Sequence, residues 1–152
     1  MEDLVENLAN GNVTAVKIVL ASVIMALAVY QVVLMAVGWG KVKLPFLKGK
    51  PASFAHRAVG DTIVTITIVV AFMCLAYFGI EDGIEHARPG ETDRATMHVV
   101  AAFALLAALA FKIVVVRWWH RLGKYLPVIG LTVFALFLAT WLTSAGDYLL
   151  GG

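Results

Sequence analysis

Five polar side chains that could do chemistry lie within or at the edge of long apolar stretches of the sequence. They are His56, Arg57, Asp61, His98 and Lys112. Such groups are costly in hydrocarbon and usually mark a functional path. Imidazole is a common axial ligand of haem iron, and basic side chains near a membrane edge suit the two haem propionates. The pattern therefore favours one or two non-covalent, b-type haems.

His98 is predicted to ligate a haem on one side of the membrane. It stands about one turn into the third apolar stretch, followed by an alanine-rich run that leaves room for a flat group or another helix. With the midpoints of the second and third stretches at equal depth, His98 comes level with Met73, which is the predicted partner ligand. Ordinary small-residue packing, with His98 hydrogen-bonded to a neighbouring carbonyl, is the alternative.

His56 is the predicted ligand on the other side. Gly60 shares its helix face one turn later, where a glycine leaves room for a planar group. His120, or less comfortably Lys112, is the predicted partner of His56. Arg57, Lys112 and Arg117 are the cofactor-binding cations predicted at this edge.

Simpler roles remain open for the same residues. His56 suits an interfacial histidine beside a close helix contact, and Lys112 can snorkel to the membrane edge. Arg57 and Asp61 are four residues apart and can pair, or Asp61 can relay protons.

The elements that must position these residues are four apolar stretches, each long enough to cross a bilayer. Of the 152 residues, 61% are hydrophobic and 14% charged, which is too apolar for a soluble core of this size. About 20 apolar residues span the hydrocarbon. Because backbone groups in lipid must be satisfied internally, we predict an all-α integral membrane four-helix bundle, up-down-up-down. We predict a single domain over 1–152, with helices at 13–38, 53–80, 95–117 and 124–146.

The charges predict an orientation. Eight basic residues flank the connections after the first and third spans, against three on the other side, which is rich in acidic residues. The positive-inside rule then places the Lys/Arg-rich loops in the cytoplasm and both termini outside, in a multi-pass protein of the plasma membrane. The acidic amino-terminal flank and the long first apolar run argue against a cleaved signal peptide.

Several cofactor classes are excluded by motif. The chain has one cysteine, Cys74, and no Cys-x-x-Cys-His, so covalent c-type haem and a Cys-ligated cluster within one chain are excluded. No glycine-rich phosphate loop follows a strand, so no nicotinamide or flavin site is predicted.

Most of the chain resembles small four-helix transmembrane b-type cytochromes, related to the five-sixty-one-type cytochromes and the ferric-reductase transmembrane domains. The resemblance is carried by His56-Arg57-x-x-Gly60, by His98, and by the segments 111–117, 126–130 and 141–145. It implies non-covalent haem held between helices and electron transfer across or along the membrane. Some similar sequences carry a further histidine late in helix two, where this chain has Met73 or Cys74, which implies His–Met ligation or loss of that haem.

We therefore expect an electron-transfer subunit of an oxidoreductase rather than a stand-alone enzyme. The expected partners are the lipid bilayer, a redox protein or larger membrane complex, and a quinol pool or other electron donor, with no nucleic acid. Two alternatives stay open, a haem-free accessory or anchor subunit and a small proton-conducting protein. Against conduction, the helices lack paired Gly/Pro breaks near the midplane.

Overall fold

The computed structural model describes residues 12–42, 50–77, 92–146 and 149, and within these ranges the chain is built from four long helices. They are α1 (Val13–Gly38), α2 (Lys50–Tyr77), α3 (Thr92–Arg117) and α4 (Leu126–Trp141). A 3-10 turn (His120–Tyr125) precedes α4, and a π turn (Leu142–Gly146) continues it. The prediction of an all-helical up-down-up-down membrane bundle is confirmed.

All four helices are long and apolar enough to cross a membrane. In the most apolar 18-residue stretch of any span, at most 17% of residues are buried inside the bundle. Large apolar side chains such as Ile68, Val100 and Leu131 therefore stand on its outer surface. Contact of such an apolar surface with lipid tails is favourable, whereas its exposure to water would be costly.

The helix bounds lie close to the predicted ones. α1 matches 13–38, while α2 and α3 begin three residues before their predicted starts at 53 and 95. The predicted end of helix two at residue 80 lies outside the described residues, as do most of the loop and terminal charges used for the orientation.

The end of α1 is fixed by a glycine. Gly40 has φ 70°, a left-handed conformation that a glycine adopts without strain. Its N–H donates to the Val37 carbonyl at 2.9 Å, and the next N–H, of Lys41, donates to the Ala36 carbonyl at 2.9 Å. This is a Schellman motif, which satisfies the last carbonyls and turns the chain out of the helix.

The helices pack in an unequal ring. α1 lies along α2 and α4, and α3 lies along α4, whereas close backbone contact between α2 and α3 is sparse. A central layer of buried side chains still joins all four helices at mid-height. Its members are Ile24, Ala28, Ile63, Leu105, Leu109, Val133 and Phe137. α2 and α3, which carry His56 and His98, are thus held in one bundle without packing tightly on each other.

Candidate functional site

Two cavities lie on opposite sides of the central layer. One, of about 810 Å³, is lined by His56, and the other, of about 440 Å³, is lined by His98. Both volumes fall within the range of small-molecule and cofactor sites. We call them the His56 cavity and the His98 cavity.

Each helix contributes one half of its length to each cavity. The amino-terminal half of α1 and the carboxyl-terminal half of α2 line the His98 cavity, and their other halves line the His56 cavity. The same division holds for α3 and α4. Phe137, which is 6% exposed, lines both cavities and is part of the wall between them.

The His56 cavity contains buried polar atoms without partners. Gln31 of α1 donates from Nε2 to the backbone carbonyl of His56 at 2.7 Å. Within the described residues, the Gln31 Oε1 and the His56 Nδ1 are buried and make no hydrogen bond. Because burying unpaired polar atoms is unfavourable, these two atoms would gain from a partner that enters the cavity.

Gly60 lines the same cavity, but its missing side chain makes room for Gln31. A Cβ at this position would lie 3.1 Å from the Gln31 Nε2. The sequence predicts that Gly60 leaves space for a flat group beside α2. In the structure, Gly60 also lets the Gln31 amide reach the His56 carbonyl.

Three cations line the His56 cavity. Arg57, Lys112 and Arg117 all line it, and Lys112 is half-buried while the two arginines are exposed. Asp61 lines the cavity too, but no ion pair joins it to Arg57 or to Lys112. Neither cation is therefore in direct contact with this carboxylate.

The His98 cavity holds its histidine differently. The His98 Nδ1 lies 3.0 Å from the Thr143 Oγ1. Thr143 belongs to the π turn at the end of α4, and its backbone carbonyl accepts a hydrogen bond of 3.0 Å from the Arg94 Nη1. Arg94 and His98 are one turn apart on α3, and both contact Thr143 in this turn. Arg94 and Lys17 also line this cavity and bring positive charge to it.

The two remaining predicted ligands lie away from the cavity walls. Met73 is half-buried and packs against Val13 at the start of α1, and it does not line the His98 cavity. His120 is exposed in the 3-10 turn and does not line the His56 cavity. The methionines that do line the cavities are Met35 beside His56 and Met25 beside His98.

Sequence reasoning missed the polar partners of both histidines. Gln31 and Thr143 contact them from neighbouring helices, and Lys17 and Arg94 supply the cations of the His98 cavity. Only Arg94 carried a signal, because a spacing of four puts it on the same helix face as His98.

Among the described residues, no three or more His, Cys, Asp or Glu side chains form a cluster that could hold a bare metal ion. A haem needs only axial ligands from the protein, since the porphyrin supplies the others.

Comparison with curated proteins and with solved structures gives no match. A family model does match residues 4–151, nearly the whole chain, and the protein accordingly belongs to DUF6529, a family of unknown function.

Proposed function

We propose that the protein is a membrane b-type cytochrome that holds one non-covalent haem in each cavity and passes electrons to a partner protein. One observation carries this proposal. Each of the two cavities, on opposite sides of the central layer, combines one histidine with two or three cations among the residues that the structure describes. A chain that merely anchored a larger complex would need neither feature.

The residues present fit a haem in both cavities. The buried, unpartnered Nδ1 of His56 and the Thr143-bound imidazole of His98 are nitrogen ligands of the type that haem iron takes. Arg57, Lys112 and Arg117 at one site and Lys17 and Arg94 at the other can bind the carboxylates of the propionates. When bound, the haem would supply one-electron chemistry, while the protein sets ligation, burial and orientation.

A methionine would help to hold the haem in each cavity. Met35 and Met25 are the thioether side chains that line the His56 and His98 cavities. His–Met ligation raises the reduction potential of a haem. Met73 and His120, the partners predicted from the sequence, are less suitable because neither lines a cavity.

Two sites at different heights in the bundle suit electron transfer across the membrane. The end with Lys41, Arg117, Arg121 and Lys124 would face the cytoplasm under the positive-inside rule. Exposed Trp39, Trp118 and Trp119 at that end suit the membrane interface. Electrons would then pass between a donor such as a quinol pool and a partner subunit.

The test is a reduced-minus-oxidised spectrum of the purified protein in detergent, with haem quantified as the pyridine haemochrome. We expect a b-type spectrum with about two haems per chain. A variant with both His56→Ala and His98→Ala should bind none, whereas His120→Ala, a matched control on an exposed histidine, should bind as much as the wild type. Absence of haem from protein produced with haem supplied would contradict the proposal and favour an accessory subunit.

A further inference from the structure

The contacts around the hydrogen bond between His98 and Thr143 indicate where the hydroxyl hydrogen of Thr143 and the ring proton of His98 lie. A threonine hydroxyl has one hydrogen. The Thr143 Oγ1 lies 2.8 Å from the Ala139 carbonyl and 3.2 Å from that of Thr140, so both neighbours accept this hydrogen. The same bond to the carbonyl four residues back occurs at Thr62, Thr67 and Thr132.

The shortest of these contacts, 2.8 Å to the Ala139 carbonyl, favours the hydrogen on the α4 backbone, and the Thr143 hydroxyl then accepts from His98. The Nδ1 at 3.0 Å is then the protonated nitrogen of the ring. A neutral imidazole with Nδ1–H carries its lone pair on Nε2. A hydrogen bond of this kind to the far nitrogen sets the tautomer and orientation of metal-ligating histidines and raises their basicity.

The backbone of Thr143 is held independently of its hydroxyl. Arg94 donates to the Thr143 carbonyl at 3.0 Å, so α3 keeps one contact with this turn when the hydroxyl is removed. Residues 142–146 form a π turn, a wider turn that is frequent at functional sites. The two contacts can therefore be separated by experiment.

We infer that Thr143 is the positioning residue of His98, and that its hydroxyl oxygen holds the ring as the Nδ1–H tautomer with Nε2 left to bind a metal. That the metal is haem iron rests on the proposed function, but the tautomer does not. If the bond between His98 and Thr143 were purely structural, it would stabilise the bundle without determining which ring nitrogen of His98 carries the proton.

The first test uses haem-free protein labelled with ¹⁵N-histidine in detergent, with the His98 signals identified by their loss in His98→Ala. The wild type should show His98 protonated on Nδ1, Thr143→Ser should keep this tautomer, and Thr143→Val should lose it in part or whole. Thr132→Val is the matched control, because Thr132 makes the same local bond at an exposed position of α4. It should leave His98 unchanged.

The second test titrates the same four proteins with haemin. We expect Thr143→Val to weaken binding at the His98 site by about tenfold or more, and Thr143→Ser and Thr132→Val to bind as the wild type. The reduction potential of that haem should rise in Thr143→Val because its ligand becomes less basic.

The inference is overturned if wild-type His98 carries its proton on Nε2, a result that stays decisive even if Thr143→Val does not fold. It is also overturned if Thr143→Val keeps the wild-type tautomer. A wild type that takes up no haem would refute the proposed function alone, since the tautomer test needs no haem.

Discussion

The His56 cavity and the His98 cavity contain similar residue types, but their histidines are hydrogen-bonded at different atoms. In the smaller cavity, Thr143 binds the His98 ring at Nδ1. In the larger one, Gln31 binds the His56 backbone carbonyl, and the ring nitrogen Nδ1 is buried without a partner among the described residues. The His98 ring is therefore oriented by the protein alone, whereas the His56 ring is not.

This difference shows that a hydrogen bond from a neighbouring segment can orient a histidine ring before any ligand binds. A ligand that is already oriented binds at a lower cost in conformational entropy than one that must be ordered on binding. The His98 cavity has this advantage in a volume of about 440 Å³, and the His56 cavity, at about 810 Å³, has more room and one more cation. The following predictions test whether the two sites are separate and how each is built.

The largest expected effect is the loss of one haem site at a time. His56→Ala and His98→Ala should each remove about half of the bound haem, because within the described part of the chain each cavity is lined by one histidine. The pyridine haemochrome measures the loss, and His120→Ala is the control. Loss of all haem from either single variant would contradict two independent sites.

The wall between the cavities can be opened at Phe137. This buried side chain lines both cavities, so Phe137→Ala should join them and lower the free energy of unfolding by about 3 kcal/mol. We expect the low end of the range for such substitutions because the unfolded state in detergent keeps apolar surroundings. Unfolding in mixed micelles measures the change. Phe137→Leu, which keeps most of the volume, should cost less than about 1.5 kcal/mol, and equal costs would show that Phe137 does not form the wall.

Hydropathy alone was enough to predict the four helices, since a bilayer demands long apolar segments. The positions of His56, Arg57, Lys112 and Arg117 near one membrane edge are also legible in the sequence, and the four residues line one cavity. Met73 shows where this reasoning stops. Its depth matches that of His98, but the rotation of α2 turns it towards Val13, and helix rotation depends on packing that depth does not describe.

Gln31 and Thr143 could not be predicted for a related reason. Each is a polar residue within an apolar helix, and its partner lies far away in sequence, at separations of 25 and 45 residues. Periodicity along one helix carries no information about a contact that two helices make together. Only a structure reveals which hydroxyl or amide faces a histidine.

Gly60 gives a test of the close approach in the His56 cavity. The Cβ in Gly60→Ala would press on the Gln31 Nε2, which its hydrogen bond to the His56 carbonyl holds in place. We expect a loss of about 1 kcal/mol, because the added methyl group overpacks this contact and also weakens that hydrogen bond. Gly130→Ala is the matched control, since its Cβ would lie 4.0 Å from the Met35 Sδ, an ordinary contact. It should be neutral or stabilising by up to about 1 kcal/mol through helix propensity.

A double-mutant cycle sharpens the Gly60 prediction. In a Gln31→Ala background the steric conflict is gone, so Gly60→Ala should no longer destabilise the bundle. An equal loss in both backgrounds would mean that Gln31 is not the neighbour that the glycine accommodates.

The smallest expected effect concerns the hydrogen bond of Gln31 itself. Gln31→Leu removes the donor to the His56 carbonyl and also the buried, unpartnered Oε1, so the two changes partly offset each other. We expect a loss of less than about 0.6 kcal/mol, the average for hydrogen bonds between helices in a membrane. Ser22→Ala, which breaks the 3.2 Å bond from the Trp141 Nε1 beside the His98 cavity, is the matched control and should cost about 0.6 kcal/mol, because it has no such offset. A gain in stability in Gln31→Leu alone would mean that the amide is kept for a ligand of the His56 cavity rather than for the fold.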